Sequence, residues 1–457
     1  MTSAQAQSGF AIRGVIEGFY GNPWTRQQRL DLIEFIAARG MNTFIYGPKD
    51  DPLVRRAWRD PYQGDDLDRM AELIERCKRH GVELVYCVHP ALSIRYSDEA
   101  DLDALVAKIA SVAGLGVRRF ALLLDDIPTE LQHEADRAAF GTLAEAHAHL
   151  INALSKRLDP DTSLIVCPTV YCGRGDEPYL ATIGGAVDPR IDLFWTGRAI
   201  CSPTLDLADA QTFERTTGRP PTYWDNYPVN DVAMGFELHI GPYRGRDPQL
   251  WRASRGVITN GMELFEASKI PFATIADYLR APDAYDPEAS WQVAIRDVAG
   301  EADHDAFALF ADNVRSSCLA TDDAPAVSRA IETFAFRLDQ GEGRAAAADL
   351  SAVAGRLLGA ADHLLGGEVA NKALIDECRP WIEAFELGAQ ALARVAGLAA
   401  AGCLERDART ELLPFLARLR EARVRVFGDA LDMFLSDLTV THVRPGRMLS
   451  VEGGEAR

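Results

Sequence analysis

Phe120-Ala121-Leu122-Leu123-Leu124-Asp125-Asp126-Ile127-Pro128 decides how the rest of this 457-residue chain is read. An apolar run that meets two adjacent carboxylates and stops at a proline has the character of a strand buried on both faces of a parallel sheet. Parallel α/β proteins place their chemistry at the carboxyl ends of such strands. Adjacent carboxylates repel, so one of the two is expected to hold its proton near neutral pH, which suits acid/base work on a scissile bond. The competing reading is that Asp125 or Asp126 merely caps the next helix.

Seven more short apolar runs surround this one: Phe10–Ile16, Met41–Tyr46, Val82–Val88, Ser163–Cys167, Ile191–Trp195, Pro221–Trp224 and Gly256–Thr259. Amphipathic segments separate them. Thr25–Arg39 opens on a plausible N-cap and closes at Gly40, and Leu67–His80 closes at Gly81. Eight β/α repeats predict an α/β chain with a closed TIM (β/α)8 barrel rather than an open sheet. Near residue 281 the character changes. Ala281-Pro282-Asp283-Ala284-Tyr285-Asp286-Pro287 reads as a linker, and beyond it strand signals vanish. Asp323–Leu338, Ala345–Leu365, Asn371–Ala401 and Ala408–Leu435 carry helical periodicity, which predicts an all-α helical bundle domain. The expected division is a disordered amino terminus over 1–9, a catalytic barrel over 10–281, the bundle over 282–445 and a flexible tail over 446–457. The apolar helical faces past residue 290 could pack internally or across a dimer.

The formal net charge of -19 disfavours nucleic acid and anionic membrane as partners, since both call for a basic surface. The polar start, Met1 to Ser8, has no apolar core for a signal peptide, and no stretch reaches the length of a membrane span, so a cytoplasmic location is expected. The eight cysteines show no CxxC and no regular spacing, and buried reduced thiols are preferred to disulfides or zinc.

Functional residues should follow the carboxyl end of each strand. The loops there read Glu17-Gly18-Phe19-Tyr20-Gly21-Asn22-Pro23-Trp24, Tyr46-Gly47-Pro48-Lys49-Asp50-Asp51, Asp125-Asp126, Cys167-Pro168-Thr169-Val170-Tyr171-Cys172-Gly173, Trp195-Thr196-Gly197, Trp224-Asp225-Asn226 through Asn230-Asp231, and Asn260-Gly261-Met262-Glu263. This inventory of Asp, Asn, Lys, Tyr and Trp fits a sugar. Carboxylates and amides bind hydroxyls, and aromatic faces cover pyranose C–H surfaces. It serves a metal poorly, and neither a metal nor another cofactor is expected. His89 and His133 read as structural, and His133-Glu134 lacks the second histidine of a zinc helix. Taken singly, each residue has a bland alternative: Lys49 pairing with Asp50, Trp195 and Trp224 packing, Asn226 and Asn260 making turns.

Together, the Gly14–Trp24 segment, Gly47-Pro48-Lys49-Asp50-Asp51, the acid pair, Tyr171-Cys172-Gly173, Trp195-Thr196-Gly197, Trp224-Asp225-Asn226 with Asn230-Asp231, and Asn260 resemble glycoside hydrolase family 84. That family holds the O-GlcNAcases and enzymes named as hyaluronidases. The resemblance spans roughly residues 10–280 in one consistent order. It implies a retaining exo-β-N-acetylglucosaminidase in which the substrate's own acetamido oxygen is the nucleophile and an oxazoline is the intermediate. Under that resemblance Asp125 orients the acetamide and Asp126 is the general acid, then base. Tyr171 and Asn226 steady the acetamido oxygen, and Trp224 walls the pocket. Gly18 (through its backbone), Lys49, Asp231 and Asn260 bind sugar hydroxyls. The implied partners are β-N-acetylglucosaminides, including O-GlcNAc-modified protein. The residues themselves agree on one point: adjacent acids cannot easily flank an anomeric carbon as nucleophile and acid do in conventional pairs, so the substrate must bring the nucleophile. The alternatives are an endo-acting hyaluronidase of the same family and a non-catalytic sugar-binding barrel. The first strand begins near residue 10, so the domain that precedes the barrel in some bacterial relatives is not expected.

Overall fold

A computed structural model describes residues 9–440. The expected disordered amino terminus (Gly9 apart), the last positions of the expected helical domain, 441–445, and the expected tail 446–457 lie outside the described residues.

Eight strands succeed one another: β1 (Ile12–Glu17), β2 (Thr43–Tyr46), β3 (Glu83–Val88), β4 (Arg119–Leu123), β5 (Ser163–Cys167), β6 (Asp192–Trp195), β7 (Thr222–Asp225) and β8 (Gly256–Asn260). Each pairs in parallel with the next, and β8 closes on β1. Their side chains are almost all buried, as expected of strands lying between a filled barrel interior and an outer layer of helices. Glycine permits close approach on both sides of β1, at the β8 seam and against β2. A Cβ at Gly256 would lie 1.9 Å from the Ile12 carbonyl oxygen, and one at Gly14 would lie 2.1 Å from that of Thr43.

Between the strands run α1 (Arg26–Ala38), α2 (Gly64–His80), α3 (Glu99–Ala113), α4 (Glu134–Ala139), α5 (Leu143–Arg157), α6 (Pro178–Ala186), α7 (Leu207–Thr217) and, after β8, α8 (Phe265–Arg280). Thr25 caps α1 in a reciprocal capping box with Gln28, and α2 ends at Gly81 in the left-handed conformation that glycine favours. Asp125 and Asp126 cap no helix; the next one, α4, begins eight residues on with His133 at its N-cap.

After α8 the chain is helical: α9 (Pro287–Ala299), α10 (His304–Ala311), α11 (Pro325–Asp339), α12 (Gly343–Gly366), α13 (Lys372–Ala400), α14 (Leu404–Glu421) and α15 (Gly428–Val440). α12 buries Leu350, Ala354, Leu357, Ala361 and Leu364, a four-three spacing that makes a seam against α13. The span Ala408–Leu435, read as one helical segment, is two helices. Arg423 and Phe427 adopt left-handed backbone, and their neighbours bond elsewhere: Arg425 N–H donates to the Phe236 carbonyl at 2.8 Å. Phe427 stacks on Phe385 with ring centroids 5.5 Å apart and occupies the space a side chain at Gly388 would need. Tertiary packing here overrides helical propensity.

The chain divides into two compact units. One holds the chain up to Val232 together with Tyr243–Ser290, and the other holds Ala233–Pro242 together with the chain from Trp291 onward. The helical unit therefore takes ten residues from the β7–β8 connection. Within that unit Ile240 accepts the Trp291 indole N–H at 2.6 Å and Phe236 accepts that of Trp381 at 3.1 Å. Among the described residues no helix is long and apolar enough to cross a membrane, and no cysteine is in a disulfide. Cys77, Cys87, Cys167 and Cys378 are buried; Cys172, Cys201, Cys318 and Cys403 are only partly so.

Candidate active site

Beyond β4, Leu124 still donates to Cys167 on the neighbouring β5 at 2.9 Å, and its carbonyl accepts the Thr169 hydroxyl at 2.7 Å. The strand end is thus clamped before the two acids begin. Asp125 is buried, whereas Asp126 sits at φ 53, in the left-handed region. That turn sends neighbouring carboxylates to different partners. Lys49, from the loop after β2, donates to Asp125 Oδ2 at 2.7 Å and stands 3.7 Å from Asp126 Oδ2. His89, at the end of β3, donates through Nε2 to the Asp125 carbonyl oxygen at 2.9 Å. Asp125 Oδ1 is buried and has no hydrogen-bond partner.

Burial alone would raise the Asp125 carboxyl, but the Lys49 ammonium outweighs it, and the pKa falls to about 2. Lys49 mirrors this: burial would lower it, and Asp125, with Tyr20 and Asp126, raises it above its ordinary value. Burial lowers His89, and among the groups that lower Asp125 the Lys49 ammonium comes first and His89 second. Asp125 is therefore an ionised carboxylate with one oxygen held and one open.

Asp126 accepts two phenol protons, from Tyr20 at 2.8 Å on Oδ2 and from Tyr171 at 3.0 Å on Oδ1. Burial and the nearby carboxylate raise both phenols, which keeps them protonated donors. Tyr20 also links the pair to Asp231, whose Oδ2 accepts the Tyr20 backbone N–H at 2.7 Å. Burial raises the Asp231 carboxyl.

On the other side a chain of amides runs along the barrel rim over the neighbouring strands β7, β8 and β1. Gly18 N–H donates to Asn260 Oδ1 at 3.1 Å, and Asn260 Nδ2 donates to Asn226 Oδ1 at 3.1 Å. Asn226 Oδ1 also receives the Trp224 indole N–H at 2.9 Å, and Asn226 Nδ2 donates to the Ile200 carbonyl at 2.9 Å. The amide orientations follow from this network. A Cβ at Gly18 would approach Trp224 Cζ2 to 2.7 Å, so this glycine lets the indole lie flush against the first loop. The Lys49 ammonium stands 5.7 Å from the Trp224 ring and 5.5 Å from that of Tyr20.

Three buried ion and hydrogen-bond clusters hold these loops in place. Glu17 takes Arg29 at 2.7 Å and accepts the Trp24 N–H at 2.9 Å, pinning the first loop. Asp51 accepts the hydroxyls of Tyr46 at 2.7 Å and Tyr62 at 3.0 Å, pinning the loop that carries Lys49. Asp225 receives the Arg246 fork at 2.6 and 2.9 Å; it supports β7 while its neighbours Trp224 and Asn226 form the amide chain.

Gly18, Lys49, Asp125, Asp126, Tyr171, Trp224, Asn226, Asp231 and Asn260 thus fall into one network. Tyr20 and Arg55 belong to it and were not singled out from sequence, and His89, read as structural and set apart from the strand-end inventory, lies directly against Asp125. Its position was available to the rule that found the others, since His89 directly follows β3. Among the described residues no three His, Cys, Asp or Glu side chains are grouped as metal ligands would be.

The sequence profile of the β-N-acetylglucosaminidase family matches residues 13–312. The Protein O-GlcNAcase of Rattus norvegicus and that of Mus musculus are each 33% identical over 274 residues, which is 59% of this chain and 30% of the relative. The match therefore spans less than a third of the length of these curated relatives. A solved O-GlcNAc hydrolase mutant from Thermobaculum terrenum superposes with a TM-score of 0.88 at 34% identity, over 94% of this chain and 95% of that one. The family profile runs from within β1 through every later strand and every loop that meets the acid pair, and this chain belongs to the β-N-acetylglucosaminidases of glycoside hydrolase family 84.

Proposed function

We propose that the protein is a retaining exo-β-N-acetylglucosaminidase of O-GlcNAcase type, acting on β-linked N-acetylglucosamine, O-GlcNAc-modified protein included, through an oxazoline intermediate. The observation that carries this reading is the state of Asp125: ionised, immobilised by Lys49, and left with one buried acceptor oxygen unfilled. An acetamido N–H supplies the missing donor. Its carbonyl oxygen then attacks the anomeric carbon, and the positive charge that grows on the closing ring is met by the Asp125 carboxylate. Asp126 gives a proton to the departing oxygen, then takes one from the water that attacks the same carbon and opens the oxazoline. Tyr171 and Asn226 steady the acetamido oxygen, Trp224 walls the ring, and Gly18, Lys49, Asp231 and Asn260 serve the hydroxyls.

Hydrolysis of an aryl β-N-acetylglucosaminide followed by NMR tests this. The first-formed sugar should be the β anomer, because two inversions occur at one carbon. Adding fluorines to the acetamido methyl should slow the glycosylation step progressively. An α product, or rates indifferent to fluorination while chemistry is limiting, would return the site to the conventional two-carboxylate schemes.

Asp231→Ala removes an acceptor for the sugar and frees the Tyr20 backbone. A loss of about 3 kcal/mol in transition-state binding is expected, roughly two orders of magnitude in kcat/KM. Unchanged catalytic efficiency on the aryl substrate would remove Asp231 from the site.

A further inference from the structure

Arg55 lies on the turn-rich loop after β2 and makes no ion pair among the described residues. Its Nε donates to His89 Nδ1 at 2.9 Å, and its Nη2 donates to the Tyr20 hydroxyl at 3.2 Å. Each acceptor is itself a donor to one residue of the acid pair, His89 to the backbone of Asp125 and Tyr20 to the carboxylate of Asp126. His89 Nε2 reaches the Asp125 carbonyl at 2.9 Å, and the Tyr20 hydroxyl reaches Asp126 Oδ2 at 2.8 Å. The guanidinium also stands 5.3 Å from the Tyr20 ring. One side chain therefore connects to both members of the acid pair by a single intervening group on each arm.

An arginine cannot give up its proton, so its N–H groups only donate. Donation to His89 Nδ1 leaves the imidazole proton on Nε2, facing the Asp125 carbonyl. With the other tautomer, two lone pairs would face each other there. Donation to the Tyr20 oxygen leaves the phenol proton to point at Asp126. Burial, which holds His89 neutral, keeps it capable of accepting on one nitrogen while donating from the other.

We propose that Arg55 is a positioning residue for the reaction, setting the direction of the hydrogen bonds that reach both acids, through the His89 tautomer on one side and the Tyr20 hydroxyl on the other. The inference rests on the assignment of Asp125 and Asp126 as the reacting pair. Lysine cannot substitute fully, because one ammonium does not present two parallel donors in a fixed plane.

The test is a double-mutant cycle, with enzyme concentrations set by active-site titration so that misfolded protein does not count. Arg55→Met should lower kcat about 10- to 100-fold on an alkyl glycoside with little change in KM, and less on an activated aryl glycoside. In a Tyr20→Phe background the Asp126 arm is already cut, so Arg55→Met should cost several-fold less than it does in the parent enzyme. Arg55→Lys should recover only part of the loss. A merely structural arginine would lower the melting temperature and multiply independently with Tyr20→Phe on both substrates; that result, or an unchanged kcat in Arg55→Met, overturns the proposal. Asp126→Asn is measured alongside. If it keeps full activity on the alkyl glycoside, the acid-pair reading itself fails; if it is crippled while Arg55 and Tyr20 act independently, only the role of Arg55 fails.

Discussion

Asp126→Asn should lower kcat/KM for an alkyl β-N-acetylglucosaminide by about a thousandfold while reducing the glycosylation rate of an activated aryl glycoside far less. A leaving group that departs as a stable phenolate needs little protonation; an alkoxide needs it fully. Asp125→Asn should behave differently and slow both substrates alike, because orientation and charge stabilisation of the acetamide are required whatever departs. Asparagine suits both tests. Asp126 sits in left-handed backbone, which Asn tolerates at least as well as Asp. Alanine there would mix strain with chemistry. Steady-state rates across a series of leaving groups measure the contrast: a steep dependence for Asp126→Asn and a wild-type dependence for Asp125→Asn. The reverse assignment would exchange the two slopes.

Lys49→Met should remove the cation that keeps Asp125 ionised. Burial, which acts to raise that carboxyl, would then lose its main opposition, the Lys49 ammonium. At least about two orders of magnitude in kcat/KM should be lost near neutral pH, and the acid limb of the pH–rate profile should move to higher pH. Stability carries the same sign. In the parent enzyme the folded Asp125 pKa of about 2 lies below its ordinary 3.8, so the pair stabilises the fold above pH 3.8 and that contribution fades as pH falls towards 2. In the variant the folded carboxyl titrates above its unfolded value, so the penalty grows as pH rises. A buried charge without its partner costs about 3–5 kcal/mol. Urea denaturation of both proteins from pH 3 to 8 should show the gap widening with pH. A constant gap would mean that Lys49 does not control Asp125.

The barrel was legible because each strand is a short apolar run with its own turn signals, and Ser163–Cys167 is one whose ends coincide with the observed strand. The site was legible at the strand ends: Lys49, Asp125, Tyr171 and Asn226 follow their strands within a few positions, and Asn260 is the last residue of β8. Arg55, His89 and Tyr20 escaped, although His89 and Tyr20 also stand close behind their strands. Their significance lies in who touches whom, and Tyr20 meets Asp126 across 106 positions of sequence. The expectation that one of the two acids holds its proton named neither of them for the same reason: the repulsion of neighbours in sequence is visible, while the ammonium that lowers Asp125 comes from another loop. The helix break between α14 and α15 was hidden because Arg-Val-Arg-Val-Phe is compatible with a helix, whereas Phe427 seats against Gly388 and Arg425 bonds to the Phe236 carbonyl.

The ten residues that the β7–β8 connection lends to the helical unit mean that the two units cannot be parted by a single cut. Leu238 and Ile240 are buried as part of the helical unit, yet β8 is synthesised after them. Ending the chain after α8 would strand these side chains in water, and starting it at Trp291 would take away the carbonyls that the Trp291 and Trp381 indoles hydrogen-bond. On the ribosome the barrel segment must leave and re-enter its own domain before its last strand appears, so recombination that swaps helical domains among relatives has to exchange this short internal stretch as well.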